Sequence, residues 1–435
     1  MKIFNVAEYG ACGDGIRKNT SEIQYCISIA EKNGGGIIYF PAGTYLTGTL
    51  YMAGNIHLQF APEAVLLASP DREDYNADDF CPENRTEPAE EASGAHLLVA
   101  LNCNNISITG GRIDGNSKIW LNRPWPHAPE KFMVNDWRPA QMIFFCNCSG
   151  IKICDTELFN APYWTCFFYN CSDVSVNNVY IKNDFRTPNG DGFDIDCCSN
   201  VSLSNCRIES GDDCIAIRAD GSRTDKCSGI CEAVSVSNCV LSTPCNAFRI
   251  GVGDGEIRNC TMNDCIIHNT RTGICIVSQY RTAISGVEIH DISFSNIEMD
   301  TKRPVLISSN VYGPQELPSK AIYNIKFKNL RGNGVYSCYI TGNEDCNISN
   351  ISFDNVSLEY SGGEDIAKAL IQSGSYGEFG IITSDSAIYL QNVSDIFMQK
   401  VNVIWNKITG PWLSSVKEIN TTNINKINCN LPSPY

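Results

Sequence analysis

The chain has 435 residues, of which 43% are hydrophobic and 19% charged, and its formal net charge is −15. This composition excludes a disordered chain, and without an apolar run of about 18 residues it predicts no transmembrane helix. A nucleic-acid-binding protein would show a basic stripe, and none is visible. One globular core rarely reaches this length, so the chain should form several domains or a solenoid, whose core grows along one axis.

The first 50 residues or so are predicted to form an N-terminal cap and a first coil. Residues 19–33 place Ile23 and Ile27 at near-helical spacing, with Thr20-Ser21 available as an N-cap and glycines at 34–36 ending the pattern. Because the open end of a solenoid needs a cover, this helix is expected to cap the first coil.

The N-terminus has no apolar segment followed by a small-residue cleavage site, which predicts a cytoplasmic protein. A chain trimmed of its signal peptide would instead be extracellular. In the cytoplasm the 23 cysteines should be reduced. We expect Cys206, Cys239 and Cys265 to be small buried hydrophobic residues of stacked coils.

One phrase recurs from about residue 100 to 405: alternating apolar residues followed by a small polar pair. Its second apolar residue recurs at Ile108, Ile153, Val176, Leu203, Val236, Met262, Ile289, Phe327, Phe353 and Met398. The alternation predicts short strands with one face inward, and the shorter steps suit one coil of a parallel β-helix. The two steps of 45 residues suit either a coil with an inserted loop or two coils.

Small polar pairs mark the predicted bends between strands. They read Asn177-Asn178, Ser204-Asn205 and Ser237-Asn238, and asparagine tolerates the left-handed backbone of such bends. Residues from about 406 to 435 are predicted as a C-terminal cap or tail. No linker is visible, so we predict a single all-β domain, a parallel β-helix with a short N-terminal capping helix.

The segment from Trp120 to Trp137 is aromatic and proline-rich. Long inserted loops often shape binding sites, and aromatic faces stack on sugar rings. Trp120 is therefore a candidate substrate contact. The alternative is that the aromatic residues only pack the loop onto the coils.

Aspartates cluster in two segments that lie one coil apart. Asp191 precedes Asp212 by 21 residues, and Asp213 follows directly, so the three should lie within one or two rungs of each other. Repulsion should raise at least one pKa and supply a general acid, while another carboxylate activates water. Glycoside hydrolysis needs such a pair, and a gap of roughly 6.5–9.5 Å implies inversion. A calcium site or turn-capping acids are the alternatives, and Asp194 and Asp196 are expected to support the site.

Taken together, these motifs resemble the polygalacturonase family, glycoside hydrolase family 28 of the pectin-lyase-like β-helix superfamily. The resemblance is carried by Phe4–Ala11, Phe40–Tyr45, Gly111–Gly115, Arg138-Pro139, Asn160–Trp164, Asn189–Gly192 and Gly211–Asp213. It implies a right-handed β-helix that acts without metal or other cofactor and inverts configuration. By the resemblance, Asp212 is the general acid, and Asp191 and Asp213 hold the attacking water.

Two motifs of that family are altered. Asn246 stands where the family has the histidine of Gly-His-Gly, and Cys275 and Val277 replace the cations of Arg-Ile-Lys, which bind the sugar carboxylate. Register counting aligns Asp213, Asn246 and Thr272 in one column and sets Arg271 above Asp212. The remaining candidate substrate contacts are Asn189, Arg218, Arg249, Arg271 and Tyr312. Each arginine has the alternative role of balancing acidic neighbours.

The predicted function is that of a metal-independent, inverting glycosidase for a pectin-related oligosaccharide. Exo action is favoured because polymers do not enter cells, and the altered cation motif argues against an ordinary polygalacturonase. A β-eliminating polysaccharide lyase and a non-catalytic carbohydrate-binding β-helix are the alternatives. The expected partner is an oligosaccharide, not nucleic acid or a membrane, and the sequence does not predict the oligomeric state.

Overall fold

The computed structural model describes residues 2–76, 90–126, 128–224, 227–279, 286–310, 319–343, 348–362, 384–410 and 412–435. The chain divides into two compact units, Met1–Cys214 (the N-terminal unit) and Ile215–Tyr435 (the C-terminal unit). The prediction of a single domain therefore stays a prediction. In the described residues, no helix is both long enough and apolar enough to cross a membrane.

The N-terminal unit contains helix α1, short 3-10 turns and strands β1 to β21. Helix α1 covers Thr20–Lys32, and the 3-10 turns cover Val6–Tyr9, Arg72–Asp74 and Ser117–Ile119. The strands, in order, are Ile3–Asn5, Asp14–Lys18, Gly36–Phe40, Gly43–Thr47, Leu50–Tyr51, Ile56–Phe60, Ala64–Ala68, Leu98–Leu101, Asn104–Thr109, Arg112–Asp114, Arg123–Trp125, Ala128–Met133, Ile143–Cys146, Ser149–Cys154, Glu157–Phe159, Cys166–Tyr169, Ser172–Asn177, Tyr180–Lys182, Phe193–Asp196, Ser199–Ser204 and Arg207–Glu209.

The C-terminal unit contains strands β22 to β36 and a 3-10 turn at Gly221–Arg223. In order, its strands are Ile215–Ala219, Ile230–Ser237, Val240–Ser242, Asn246–Gly253, Glu256–Asn263, Ile266–Gln279, Glu288–Asn310, Ile322–Gly334, Cys338–Thr341, Ile348–Gly362, Ser386–Gln391, Val393–Gln399, Asn402–Ile408, Ser414–Ile419 and Thr422–Ile427.

Within each unit, equivalent strands of successive coils pair in parallel. In the N-terminal unit Ile108 pairs with Ile153, Ile153 with Val176, and Val176 with Leu203. These residues face inward and are fully buried. The alternating phrase thus builds the coils of a parallel β-helix, as the sequence predicts, and the 45-residue step after Ile108 is one coil with an inserted loop.

The C-terminal unit corrects one predicted marker. Met262 pairs with Phe294, and Phe294 with Phe327, whereas Ile289 pairs with Ile257. Strand β28 carries two alternating phrases, because Asp291 bends the chain with a left-handed φ of 55°. The sequence pattern could not distinguish the alternating apolar residues before this bend, around Ile289, from those after it, around Phe294.

The predicted bends between strands are confirmed. Asn178, Asn205 and Asn238 have φ values of 51°, 57° and 53°, the left-handed region that asparagine tolerates. Asn178 also donates through Nδ2 to Asp155 Oδ1 of the preceding coil at 2.7 Å. The polar pairs therefore both turn the chain and link the coils.

Helix α1 matches the predicted helix and covers the first coil, but its cap differs. Its buried face is Ile23, Cys26, Ile27 and Ala30, and it contacts β3 and β5. The N-cap is Asn19, not Thr20-Ser21, and Asn19 makes no side-chain cap bond to the helix. Its Oδ1 instead accepts from the backbone N–H of Cys12 at 2.6 Å, which fixes the preceding loop.

The last coils extend beyond the predicted start of the tail. Strand β35 pairs in parallel with β32, and β36 with β33. Strands of the parallel β-helix thus continue to Ile427, within the stretch predicted as a C-terminal cap or tail from about residue 406.

No disulfide joins the cysteines that the structure describes. Cys206, Cys239 and Cys265 are each at most 2% exposed, which confirms their predicted place as small buried core residues. At this position a thiol fills the volume of a small hydrophobic side chain.

Candidate active site

Two turns of the N-terminal unit carry the predicted catalytic aspartates and run side by side. The backbone N–H of Gly192 donates to Asp213 O at 2.9 Å, and that of Gly211 donates to Gly190 O at 2.9 Å. Asp191 therefore lies between two bonds to the next coil and faces the Asp212–Asp213 turn. The predicted stacking of the three aspartates on adjacent rungs is confirmed.

Glycines allow the two turns to approach this closely. A Cβ on Gly192 would lie 2.4 Å from Cys214 O, and one on Gly211 would lie 2.4 Å from Thr187 O. Both distances are below van der Waals contact with backbone atoms that cannot swing away. Any side chain at these positions would force the aspartate-bearing turns apart.

The backbone of Asp191 is fixed from its other side by the preceding coil. Asp191 O accepts from the backbone N–H of Thr165 at 2.9 Å and from Thr165 Oγ1 at 2.8 Å. Asn183 Nδ2 donates in turn to Thr165 Oγ1 at 2.8 Å and to Gly190 O at 3.3 Å. The backbone from which the Asp191 carboxyl group projects is thus held by hydrogen bonds to Asp191 O and Gly190 O.

The carboxyl group of Asp191 is buried and only partly satisfied. The residue is 5% exposed, and its Oδ1 has no hydrogen-bond partner among the residues that the structure describes. Buried polar atoms in folded proteins nearly always have a partner. An oxygen left in this state is available to a water molecule or a substrate.

The pKa of Asp191 is raised well above its ordinary value. Burial is the largest cause, followed by the negative charges of Asp194, Asp212, Asp213 and Glu90. Repulsion within the cluster does raise a carboxyl pKa, as the sequence predicts. Asp191 is one group affected in this way, whereas the family resemblance assigns the general acid role to Asp212.

The other acids surround this group. Asp212 is half-buried and Asp213 is buried, and the Asp212 carbonyl accepts from Ser210 Oγ at 2.7 Å. Asp194 and Asp196 are fully buried in strand β19, where they pair with residues of β16. Of the three predicted catalytic residues, Asp212 is thus the most accessible to a glycosidic oxygen.

Asn189 adopts a left-handed φ of 51° at the start of the Asp191 turn. Its Oδ1 accepts from Nη2 of Arg138 at 3.2 Å. Sequence reasoning assigned no role to Arg138 or Glu90 in this site, although both act on the Asp191 turn. They are about 50 and 100 residues away along the chain, so no local spacing could reveal them.

The structure contradicts the predicted sugar contact of Trp120. Trp120 is 8% exposed and packs in a cluster with Tyr75, Leu121 and Val134, and its ring lies 5.0 Å from that of Trp137. Trp120 therefore packs the loop onto its neighbours, which agrees with the alternative of loop packing.

Among the described residues of this segment, Trp125 is the exposed aromatic residue, at 42%. It lies on the antiparallel hairpin β11–β12. In that hairpin the N–H of Phe132 donates to Arg186 O at 2.8 Å, and the Arg186 guanidinium lies 4.2 Å from the Phe132 ring. The hairpin is thereby fastened to the loop that leads into the Asp191 turn.

Five of the predicted substrate contacts belong to the C-terminal unit, and the structure describes four of them. Asn246 pairs with Thr272, as register counting predicts, and Arg249 pairs with Cys275. Asn246 and Arg249 are each 3% exposed. The part of the predicted column that involves Asp212 and Asp213 stays a prediction.

Cys275 and Val277, which stand at the positions of the family's cations, are fully buried. Cationic side chains lie nearby along the coils. Arg271 donates through Nη2 to Cys245 Sγ at 2.9 Å. Arg303 is fully buried and pairs with Thr272. The sequence analysis did not predict Arg303 as a site residue, because it placed the repeat position of this coil at Ile289 instead of Phe294. Burial and the positive charge of Arg271 lower the pKa of Arg303 to about 10.

Arg218 has an acidic neighbour. Burial raises the pKa of Asp220, but a hydrogen bond from Ser222 and the charges of Arg223 and Arg218 outweigh it, and the pKa is lowered. This supports the alternative that Arg218 balances local charge. Tyr312, the remaining candidate, lies outside the described residues.

Comparison with protein families gives two matches. Residues 80–374 match the family model described as glycosyl hydrolases family 28. Residues 3–70 match a model described as rhamnogalacturonase A/epimerase, pectate lyase-like.

Comparison with individual proteins gives similar results. A probable polygalacturonase of Vitis vinifera is 30% identical over 221 residues, which are 49% of this chain and 44% of the relative. The chain thus spans less than half the length of this relative. The exopolygalacturonase of Zea mays is 24% identical over 382 residues, 82% of this chain and 84% of the relative.

Among solved structures, the family 28 exopolygalacturonase of Yersinia enterocolitica covers 97% of this chain and 78% of its own, with a TM-score of 0.70 and 18% identity. This likeness confirms the predicted right-handed parallel β-helix.

Proposed function

Because the chain belongs to glycoside hydrolase family 28, we propose that it hydrolyses a pectin-related oligosaccharide by an inverting, metal-independent acid–base mechanism. One observation carries the proposal: among the described residues, no donor reaches Oδ1 of the buried Asp191 carboxyl group, which lies beside the Asp212–Asp213 turn. A purely structural carboxyl group in this position would be expected to have a partner.

Each aspartate has a distinct role in this proposal. Asp212, half-buried, donates a proton to the glycosidic oxygen as the bond breaks. Asp191 and Asp213 hold a water molecule on the opposite face of the sugar and take its proton as it attacks the anomeric carbon. Asp191 must be ionised to act as a base, so its raised pKa confines activity to a pH above that pKa.

Inversion and hydrolysis can be tested in one experiment. Proton NMR of the first product formed identifies its anomer, and ultraviolet absorbance detects the unsaturated sugar that a lyase would release. We expect the inverted anomer and no absorbance. The retained anomer would contradict the mechanism, and an unsaturated product would favour β-elimination.

For the substrate, we propose a sugar other than unsubstituted galacturonate at the subsite that the family's Arg-Ile-Lys motif serves. Cys275 and Val277 are fully buried and cannot pair with a carboxylate. A uronate placed there would lose its hydration without gaining a counterion, which costs several kcal/mol. Arg249 or Arg271 would have to replace the missing cation.

The substrate test compares kcat/KM on oligogalacturonides with kcat/KM on rhamnose- or galactose-terminated pectic fragments. We expect the fragments to be the better substrates. Efficient cleavage of oligogalacturonides would contradict the proposal, and its loss in Arg249→Ala or Arg271→Ala would identify the replacement cation.

We also propose exo action. The Zea mays relative and the Yersinia enterocolitica structure are both exopolygalacturonases by name. The hairpin β11–β12, with its exposed Trp125, is bonded to Arg186 in the loop that leads into the Asp191 turn, and we propose that it limits the length of substrate on that side. Exo action predicts one short product from the first turnovers, whereas a ladder of intermediate lengths would indicate endo cleavage.

A further inference from the structure

Arg138 is a buried cation of the N-terminal unit that holds several segments at once. The residue is 1% exposed, and its guanidinium makes five hydrogen bonds to neutral oxygens. The acceptors are Glu91 O at 3.2 Å, Pro162 O at 3.0 Å, Pro188 O at 2.7 Å, Asn189 Oδ1 at 3.2 Å and Glu90 O. A guanidinium has five N–H donors, so this arrangement engages its full capacity.

These acceptors belong to three stretches that are far apart in the sequence. Two of them, Pro188 O and Asn189 Oδ1, lie directly ahead of Asp191. The bonds therefore tie the entry of the Asp191 turn to the segments around residues 90 and 162. Because the guanidinium fork is rigid and planar, it fixes these segments in angle as well as in distance.

Tyr163 and Glu90 complete the cluster. The Arg138 guanidinium lies 4.7 Å from the Tyr163 ring, and the Tyr163 hydroxyl donates to the Glu90 carboxylate. Burial, followed by the charge of Glu90, raises the pKa of Tyr163 well above its ordinary value, so the hydroxyl stays protonated and remains a donor.

A buried guanidinium bonded to neutral oxygens is costly unless negative charge lies close by. Burial lowers the pKa of Arg138, and the negative charges of Glu90, Glu91 and Asp191 act in the opposite direction. Neutral side chains could join the segments at lower cost. The positive charge of Arg138 is therefore best explained by its attraction to the acidic groups around Asp191.

We propose that Arg138 is a positioning residue for the reaction: it sets the Asp191 turn through Pro188 and Asn189 and supplies the counter-charge to Asp191 and Glu90. The inference rests on the proposed role of Asp191 as a base. It adds a residue that touches neither the substrate nor the reacting water. Among the described residues of the N-terminal unit, the charged or titratable groups that act on Asp191 include Glu90, Arg138, Tyr163, Asp194, Asp212 and Asp213.

Three variants separate the geometric effect from the electrostatic one. Arg138→Lys keeps the positive charge but loses the planar guanidinium and most of its hydrogen bonds, so kcat should fall about 10- to 100-fold. KM and the acidic limb of the pH–rate profile should change little. Arg138→Met removes the positive charge and should move that limb to higher pH by about one unit. Glu90→Gln removes a negative charge and should move the limb to lower pH.

The matched control is Arg112→Met in the same unit. Arg112 also lies over an aromatic ring, 4.4 Å from that of Phe159, and pairs with Glu157 at 2.6 Å, but its side chain is 40% exposed. Its loss should leave kcat and the pH profile unchanged. A purely structural Arg138 would lower the melting temperature without shifting the limb.

A folded Arg138→Met with wild-type kcat or an unmoved limb would overturn the inference. If Arg138→Met does not fold, wild-type kcat in Arg138→Lys together with an unmoved limb in Glu90→Gln would overturn it equally. An active Asp212→Asn variant would instead refute the proposed function. The two failures are therefore distinguishable.

Discussion

Asp191→Asn should abolish activity and yet stabilise the folded protein at neutral pH. The substitution keeps the size of the side chain and removes its charge. In the folded state this charge is buried and repelled by Asp194, Asp212, Asp213 and Glu90, so the pKa of Asp191 is raised. In the unfolded chain the group returns to its ordinary pKa of 3.8.

The size of the effect follows from this difference in pKa. Between the ordinary pKa and the folded-state pKa, unfolding releases a proton, so the wild-type protein loses stability as the pH rises. The slope is up to about 1.4 kcal/mol per pH unit. The amide side chain of the variant does not titrate. The stability of the variant relative to wild type should therefore increase from about pH 4 upward and become constant above the folded-state pKa. For a unit of about 200 residues, each kcal/mol corresponds to roughly 2–4 °C in melting temperature.

The assay is the melting temperature of both proteins across pH, because any pH-independent cost of the amide then cancels in the slope. Asp184→Asn is the matched control, since the hydrogen bonds from Arg186 lower the pKa of Asp184. The charge of Asp184 stabilises the fold above its ordinary pKa, so this variant should melt lower at neutral pH, the opposite sign. A difference between Asp191→Asn and wild type that does not change with pH would refute the reasoning.

Asp212→Asn should lower kcat by about 10²–10⁴-fold at an unchanged melting temperature, and near wild-type turnover would contradict its acid role. The acidic limb of kcat/KM should lie above the ordinary carboxyl range, because Asp191 must be ionised and its pKa is raised; a limb near pH 4 would be inconsistent with this. EDTA should leave the rate unchanged, whereas a loss that calcium restores would support the lyase alternative. Trp125→Ala should raise KM about 2- to 10-fold if its exposed ring stacks on a sugar, while Trp120→Ala, in the apolar cluster, should lower the melting temperature instead.

The coils and the stacking of the aspartate-bearing turns could be predicted because each is encoded locally. The alternation around Val176 and Leu203 reports a buried face directly, and Asn178 and Asn205 mark bends that few other residues tolerate. Asp191 and Asp212 are separated by 21 residues along the chain, which is about the length of one coil. Once the repeat is recognised, the stacking of the two turns follows from counting.

What could not be predicted depends on contacts between distant segments. The burial of Trp120 depends on Tyr75 and Val134, and the role of Arg138 depends on carbonyls at residues 90, 162 and 188. Arg303 was missed for another reason, since the two phrases of strand β28 are equivalent in pattern. In a solenoid the insertions and the choice between equivalent phrases are set by packing, not by period.

The buried thiols inside the coils give the protein built-in reporters of local opening. Cys214 follows Asp213 and is fully buried, as are Cys166 at the start of strand β16 and Cys198 between strands β19 and β20. A thiol-reactive reagent can modify them only when the coil around them opens, so the modification rate at Cys214 measures how often the Asp212–Asp213 turn opens. Reading each cysteine by mass spectrometry would map which coils open first, without adding any probe to the chain.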